Sequence, residues 1–143
     1  MKIRIIVGSK ISDRYIRELL DRYIKRLKVF CDFEIKDFKC SGNVKKDDEK
    51  YILLSQGFYR VGLAIEGKMF DSMTFAKRFL DGNYNDISFL IGSAEGLSED
   101  LKKDCDELLS LSKLTFCHEH ALLVLTEQIY RGFTINKGHP YHK

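Results

Sequence analysis

A chain of 143 residues has the length of one domain, and its 44% hydrophobic content suffices for a soluble globular core. No apolar run reaches the roughly 18 residues that a bilayer-spanning helix requires. The net charge of +3 is too mild to imply nucleic acid by its sum, so the placement of the charges matters more. The opening residues, MKIRIIVGSK, hold an apolar run too short for a signal peptide and no small-residue cleavage site, which predicts a cytoplasmic protein. Cys31, Cys40, Cys105 and Cys117 form no CxxC pair and read as plain thiols in a reducing compartment.

Taken in order, residues 2–7 (KIRIIV) predict a strand that ends at the Gly8-Ser9 turn. Ser12 is the expected N-cap of a long helix. Its apolar positions, Tyr15, Ile16, Leu19, Leu20, Tyr23, Ile24 and Leu27, follow the i, i+3, i+4 stripe. From Lys10 to Lys28 seven Lys or Arg stand against three Asp or Glu, so the exposed face is basic. That face is either ordinary solvated surface or part of an RNA-binding surface. Residues 33–38 (FEIKDF) alternate as a second strand, and the charged run 45–50 opens a helix that reaches about Gln56 and closes on Gly57. Residues 59–65 (YRVGLAI) predict a third strand, ended by Glu66-Gly67, and residues 72–80 a short helix. The apolar run 87–91 (ISFLI) predicts a central strand covered on both faces. A glycine turn over 92–98, a short helix near 99–103 and a strand over 107–111 follow. The last helix opens near His118 and runs to about Phe133. Strands alternating with helices, without repeats or a linker, predict one α/β domain: a three-layer sandwich with a mostly parallel sheet.

The last helix carries Ala121, Leu122, Leu125 and Ile129 in one stripe, widened by Leu123 and Tyr130, while His120, Glu127 and Arg131 share the opposite side. So broad an apolar surface requires cover from more than one direction, by a subunit partner or by the chain's own core. All four histidines lie from His118 onward, and after Glu127 the chain has Arg131, Lys137 and Lys143 but no acid, which suits an anionic partner.

Ligands of open α/β sheets bind beyond the carboxyl ends of the strands, which points to the loops at 66–68, 92–98 and 110–116. Gly92 and Gly96 permit close backbone approach but form neither GxGxxG nor a Walker A motif. Ser110, Ser112 and Thr115, spaced among Leu111, Leu114 and Phe116, suit an adenine ring with its ribose. Cys117, His118 and His120 do not share a helix face at ligand spacing, so no metal is expected, and a GxSxG elbow is missing.

The motifs IGSAEGLS (91–98), LSLSKLTF (109–116), EQIYRGF (127–133) and HPYHK (139–143), with LAIEGKMFDS (63–72) before them, resemble the RlmH family of small SPOUT-class methyltransferases. The resemblance runs the length of the chain. It implies a SPOUT-type fold with a C-terminal trefoil knot, a homodimer, and S-adenosyl-L-methionine as cofactor. The implied reaction is methylation of N3 of a pseudouridine in large-subunit ribosomal RNA. Carried over by position, Leu63, Gly92, Leu111, Ser112, Lys113, Leu114, Thr115 and Phe116 would bind the cofactor. His118, Tyr141 and Lys143 would face the RNA. Arg131 would stabilise charge on the acceptor base and His142 would accept its proton. A non-catalytic RNA- or ribosome-binding protein on the same fold, or a methyltransferase acting on transfer RNA, are the alternatives. The chain departs from the family pattern at Ala64, Ser93, Cys117 and Leu122, where an acid, a second glycine, a proline and an arginine are usual.

Overall fold

The structure, a computed structural model, describes residues 1–142, the last of them by its backbone alone. β1 (Lys2–Val7) lies inside the sheet, and its Ile3, Ile5, Ile6 and Val7 are all fully buried. β2 (Asp32–Asp37) pairs along one edge of β1 and β4 (Asp86–Ile91) along the other. β3 (Tyr59–Lys68) pairs with β4, and β5 (Glu107–Leu109) pairs with β3, giving the order β2-β1-β4-β3-β5. All four pairings are parallel, so each strand-to-strand connection must cross over. α1 (Arg14–Leu27), α2 (Val44–Leu54), α3 (Ser72–Phe79) and α4 (Glu99–Lys103) make those crossings, and α5 (His118–Asn136) follows β5.

The helices sort onto two faces by the alternation of the strand side chains. Ile3, Ile5, Val7, Ile87, Phe89 and Ile91 share one core with residues of α1, α3 and α5. Ile6 and Leu90, which point the other way, pack with Tyr51 of α2 and Leu101 of α4. This is the expected three-layer α/β sandwich, with a sheet that is parallel throughout its described strands.

Three boundaries differ from the sequence reading. α1 is capped by Asp13, whose side chain accepts from the backbone N–H groups of Tyr15 and Ile16. Ser12 is engaged differently: its own N–H donates to Glu119 at 2.5 Å. β3 does not end at Glu66-Gly67 but runs on to Lys68, which pairs with Leu109 after an irregularity that follows Leu63. Gly67 permits this because a Cβ there would stand 2.7 Å from the backbone of Leu108 and Leu109. β5 in turn stops at Leu109; the Ser110 N–H still donates to the Lys68 carbonyl at 3.0 Å, and its hydroxyl donates to the Ser112 carbonyl at 3.0 Å.

α5 is longer than expected. Asn136 extends its end and donates to the carbonyls of Ala76 and Leu80, tying it to α3. Leu122, Leu125, Ile129, Tyr130 and Phe133 are all buried, between α1, α3 and the sheet. Gly132 lets α3 come close, since a Cβ there would lie 2.5 Å from Leu80 Cδ1. The chain's own core thus supplies most of the cover that the apolar breadth of α5 requires.

Candidate cofactor pocket

The carboxyl ends of β3, β4 and β5 open onto a cavity of about 510 Å³, closed at one end by the start of α5. The position follows from topology: parallel strands present their ends together, and the loops that leave them diverge. β3 contributes Leu63, Ala64, Ile65 and Glu66 to its wall. Ile91 of β4 leads into Gly92, where a Cβ would fall 2.3 Å from the Gly96 carbonyl carbon. A side chain at position 92 is therefore excluded by the turn itself, which Gly96 closes at φ +77 with its N–H on the Ser93 carbonyl at 2.9 Å.

The third wall is the loop after β5. Leu111, Ser112, Leu114, Thr115 and Phe116 all line the cavity. Ser112 Oγ accepts from the Leu114 N–H at 3.0 Å, which fixes the bend, and Leu114 stands 74% exposed at the rim. Lys113 belongs to the same loop but does not line the cavity. Apolar walls with a few hydroxyls and free backbone edges, in a volume of this size, fit an adenosine carrying an amino-acid tail.

Two polar pairs adjoin the cavity, each with a residue in its lining. Lys102 of α4 meets Glu66 at 2.7 Å, and their hydrogen bond holds the Glu66 carboxyl below its usual range and the Lys102 ammonium above its own. Cys117, the N-cap of α5, has its Sγ 2.8 Å from His120 Nδ1. The imidazole lowers the pKa of the thiol, and the thiol raises that of the imidazole. Among the described residues no three His, Cys, Asp or Glu side chains group as a metal site would require.

His118, expected on the RNA side, lines the cavity, whereas Arg131 and Tyr141 of the same chain do not. Thirteen residues separate His118 from Arg131, which is about 20 Å along a helix axis. Arg131 instead donates to Glu127 and lies 5.2 Å from the Tyr141 ring, on the side of α5 where Tyr23 of α1 packs. Tyr141 hydrogen-bonds both Glu127 and Tyr23, and burial pushes its pKa up. The His142 side chain and Lys143 lie outside the described residues. Glu66, Ser93, Cys117 and Ala121 also line the pocket, as does Lys102, which no strand-end argument could locate because it arrives from α4 across the mouth.

A family model described as "Predicted SPOUT methyltransferase" matches residues 1–142. The ribosomal RNA large subunit methyltransferase H of Streptococcus thermophilus is 40% identical over 159 aligned residues, covering all of both chains. The protein of the same name from Oenococcus oeni is 39% identical, covering 100% of this chain and 99% of its own. Among solved structures, a probable methylase family protein from Haemophilus influenzae superposes with TM-score 0.61 at 8% identity, covering 99% of this chain and 70% of that one. A probable methyltransferase from Bordetella pertussis gives 0.58 at 11% identity, covering 92% and 93%. At such low identity the two structures speak for the fold alone, but the family match and the full-length relatives go further: this chain belongs to the SPOUT methyltransferases, enzymes whose methyl donor is S-adenosyl-L-methionine.

Proposed function

We propose that the protein methylates N3 of a pseudouridine in large-subunit ribosomal RNA, as a cytoplasmic homodimer of single-domain chains whose C-terminal segment carries the family's trefoil knot. The observation that carries the reaction class is the cavity at the ends of β3, β4 and β5, with Gly92 as its floor. The substrate class is supported by the full-length relatives, which are named as ribosomal RNA large subunit methyltransferases.

S-adenosyl-L-methionine supplies a methyl group already activated on a sulfonium. The protein then has mainly to hold the two reactants in line and exclude water. Leu63 and Leu111 offer apolar contact, and Ser112 and Thr115 offer hydroxyls, within the pocket wall. The acceptor N–H is imide-like and must lose its proton, so a cation that stabilises the developing negative charge lowers the barrier. Arg131 fills that role in this reading, with His142 as the proton acceptor and His118, Tyr141 and Lys143 on the RNA side. Arg131 lies too far along α5 to serve the pocket of its own chain. In this reading a second copy brings its Arg131 to each pocket, which supports the homodimer that the family resemblance implies.

The test is transfer of labelled methyl to assembled ribosomes, free large subunits, naked ribosomal RNA and transfer RNA, followed by mapping of the labelled nucleotide. Label at N3 of a large-subunit pseudouridine is the expected result. Label on transfer RNA alone, or no label together with no cofactor binding, overturns the proposal.

A further inference from the structure

Gly92 is a place where the pocket floor tolerates no side chain; its own loop closes the turn after it through Gly96 and Ser93, but the carbonyl before it is held from elsewhere. That hold comes from the opposite face of the sheet, from α2 and the segment before it. Tyr51 of α2 is 3% exposed, and its hydroxyl donates to the Ile91 carbonyl at 2.8 Å. That carbonyl already accepts from the Gly8 N–H at 3.0 Å, which continues the β1–β4 ladder by one rung. Its second lone pair is the one that Tyr51 takes, in a place where an unmet acceptor would be costly. Gly8 makes room: a Cβ there would stand 2.0 Å from the Tyr51 oxygen and 2.9 Å from Cys40 Sγ. The ring is fixed edge-on against Phe38, with centroids 4.9 Å apart.

Cys40 is the neighbour of the Tyr51 hydroxyl: both its Sγ and the Tyr51 oxygen crowd the place where a Gly8 Cβ would stand. The peptide that precedes Gly92 is therefore held from a corner behind the sheet. Tyr51 and Cys40 do not themselves line the cavity.

We infer that Tyr51, with Cys40 beside it, is a positioning residue for the cofactor: it sets the backbone of Ile91–Gly92 from behind, so that the pocket floor is formed before S-adenosyl-L-methionine arrives. The inference rests on the assignment of the cavity as the cofactor site. It is separate from any residue that touches substrate.

The Tyr51→Phe variant keeps the ring and removes only the hydroxyl. Its Kd and KM for S-adenosyl-L-methionine are expected to rise about tenfold, the worth of one buried hydrogen bond, while kcat at saturating cofactor and KM for RNA stay within about twofold. A residue that only stabilised the fold would lower Tm without this split. Cys40→Ala, which removes the thiol packed beside the Tyr51 hydroxyl, is expected to raise the cofactor KM about threefold with kcat unchanged. This variant carries the test if Tyr51→Phe does not fold. Ala64→Trp, which fills the cavity from β3, is measured alongside and is expected to abolish cofactor binding. If Ala64→Trp binds the cofactor normally, the cavity is not the cofactor site and the inference falls with that assignment. If Ala64→Trp is dead while Tyr51→Phe binds as wild type, or loses kcat instead of affinity, the positioning role alone is overturned. A Cys40→Ala variant that binds the cofactor as wild type removes Cys40 from the positioning role.

Discussion

Arg131 donates its Nε to Glu127 at 3.1 Å, and the same carboxylate oxygen accepts the Tyr141 hydroxyl, also at 3.1 Å. A surface i, i+4 pair is worth little for stability. Here, though, both side chains are only about a quarter exposed, and the guanidinium also lies against the Tyr141 ring. The arrangement fixes where the cation points. Arg131→Ala is expected to lower kcat by roughly 10²–10³-fold, the usual cost of losing a group aimed at developing charge, with cofactor affinity unchanged. Mixing Arg131→Ala with Ala64→Trp tests the shared site. If each pocket takes its arginine from the partner chain, half of the dimers in an equal mixture are heterodimers, each with one complete site, and about a quarter of wild-type activity returns. No recovery, with exchange of subunits verified, would overturn an arginine donated across the dimer.

Gly92 gives the sharpest prediction at the pocket itself. The alanine Cβ would overlap the Gly96 backbone at 2.3 Å and the Leu97 nitrogen at 2.6 Å, neither of which is the end of a flexible side chain. Gly92→Ala must therefore open the 92–97 turn. Titration calorimetry should show at least a tenfold loss of S-adenosyl-L-methionine affinity, on the scale of about 1–3 kcal/mol for a steric clash in a packed site. Unchanged affinity would mean that the turn is not the floor of the cofactor site.

The strands and helices were legible because the chain writes them in clean periods: ISFLI for a strand buried on both faces, and the Ile16–Leu20–Leu27 stripe for α1. The errors arose where a distant partner decides. Glu66-Gly67 reads as a turn, but Gly67 fits against Leu109 of β5, and only that pairing keeps the strand going. Ser12 reads as the cap of α1, but Glu119, from the start of α5, takes the N–H groups of Ser12 and Asp13, and it is Asp13 that caps the helix. The pocket loops could be placed from strand ends, and Leu63, Gly92 and Leu111–Phe116 fall there, Lys113 excepted. Lys102, Tyr51 and Cys40 act across the mouth or through the sheet, and local spacing holds no trace of that. Arg131 and His118 share one helix, but helical rise, not motif order, separates them. A knot depends on threading, which no periodicity records.

Cys117 should be the reactive thiol of the four. It is exposed beside His120 at the start of a long helix, whereas burial pushes Cys31 up to about 12 and Cys105 up to about 11. Iodoacetamide at neutral pH, read by peptide mapping, should label Cys117 at least about tenfold faster than the others. His120→Ala should shift the pH midpoint of that rate upward, since the imidazole is what favours the thiolate. Because Cys117 lines the cavity, bound S-adenosylhomocysteine should slow the labelling. Equal rates with and without it would separate Cys117 from the cofactor.

Asp47 carries the pH dependence of the corner that holds the pocket floor. It is 8% exposed, and its carboxylate accepts from the Ser41 N–H and hydroxyl, each at 2.8 Å, and from the Gly42 N–H at 3.3 Å. Chiefly the Ser41 backbone bond holds its pKa below the usual carboxylate value. A carboxyl whose folded pKa is depressed binds its proton more weakly when folded than when unfolded. Its stabilising contribution is complete above the unfolded value, about 3.9, and is lost as the pH falls through the folded one. Asp47→Asn should therefore lower Tm by a few degrees at pH 7, and the gap to wild type should close progressively below about pH 4. A gap that persists in acid would assign the effect to packing. Since the Ser41 turn that Asp47 holds leads into α2, the helix that carries Tyr51, the same variant should weaken cofactor binding at neutral pH. A loss of Tm without that weakening would confine Asp47 to stability and detach the turn from the pocket.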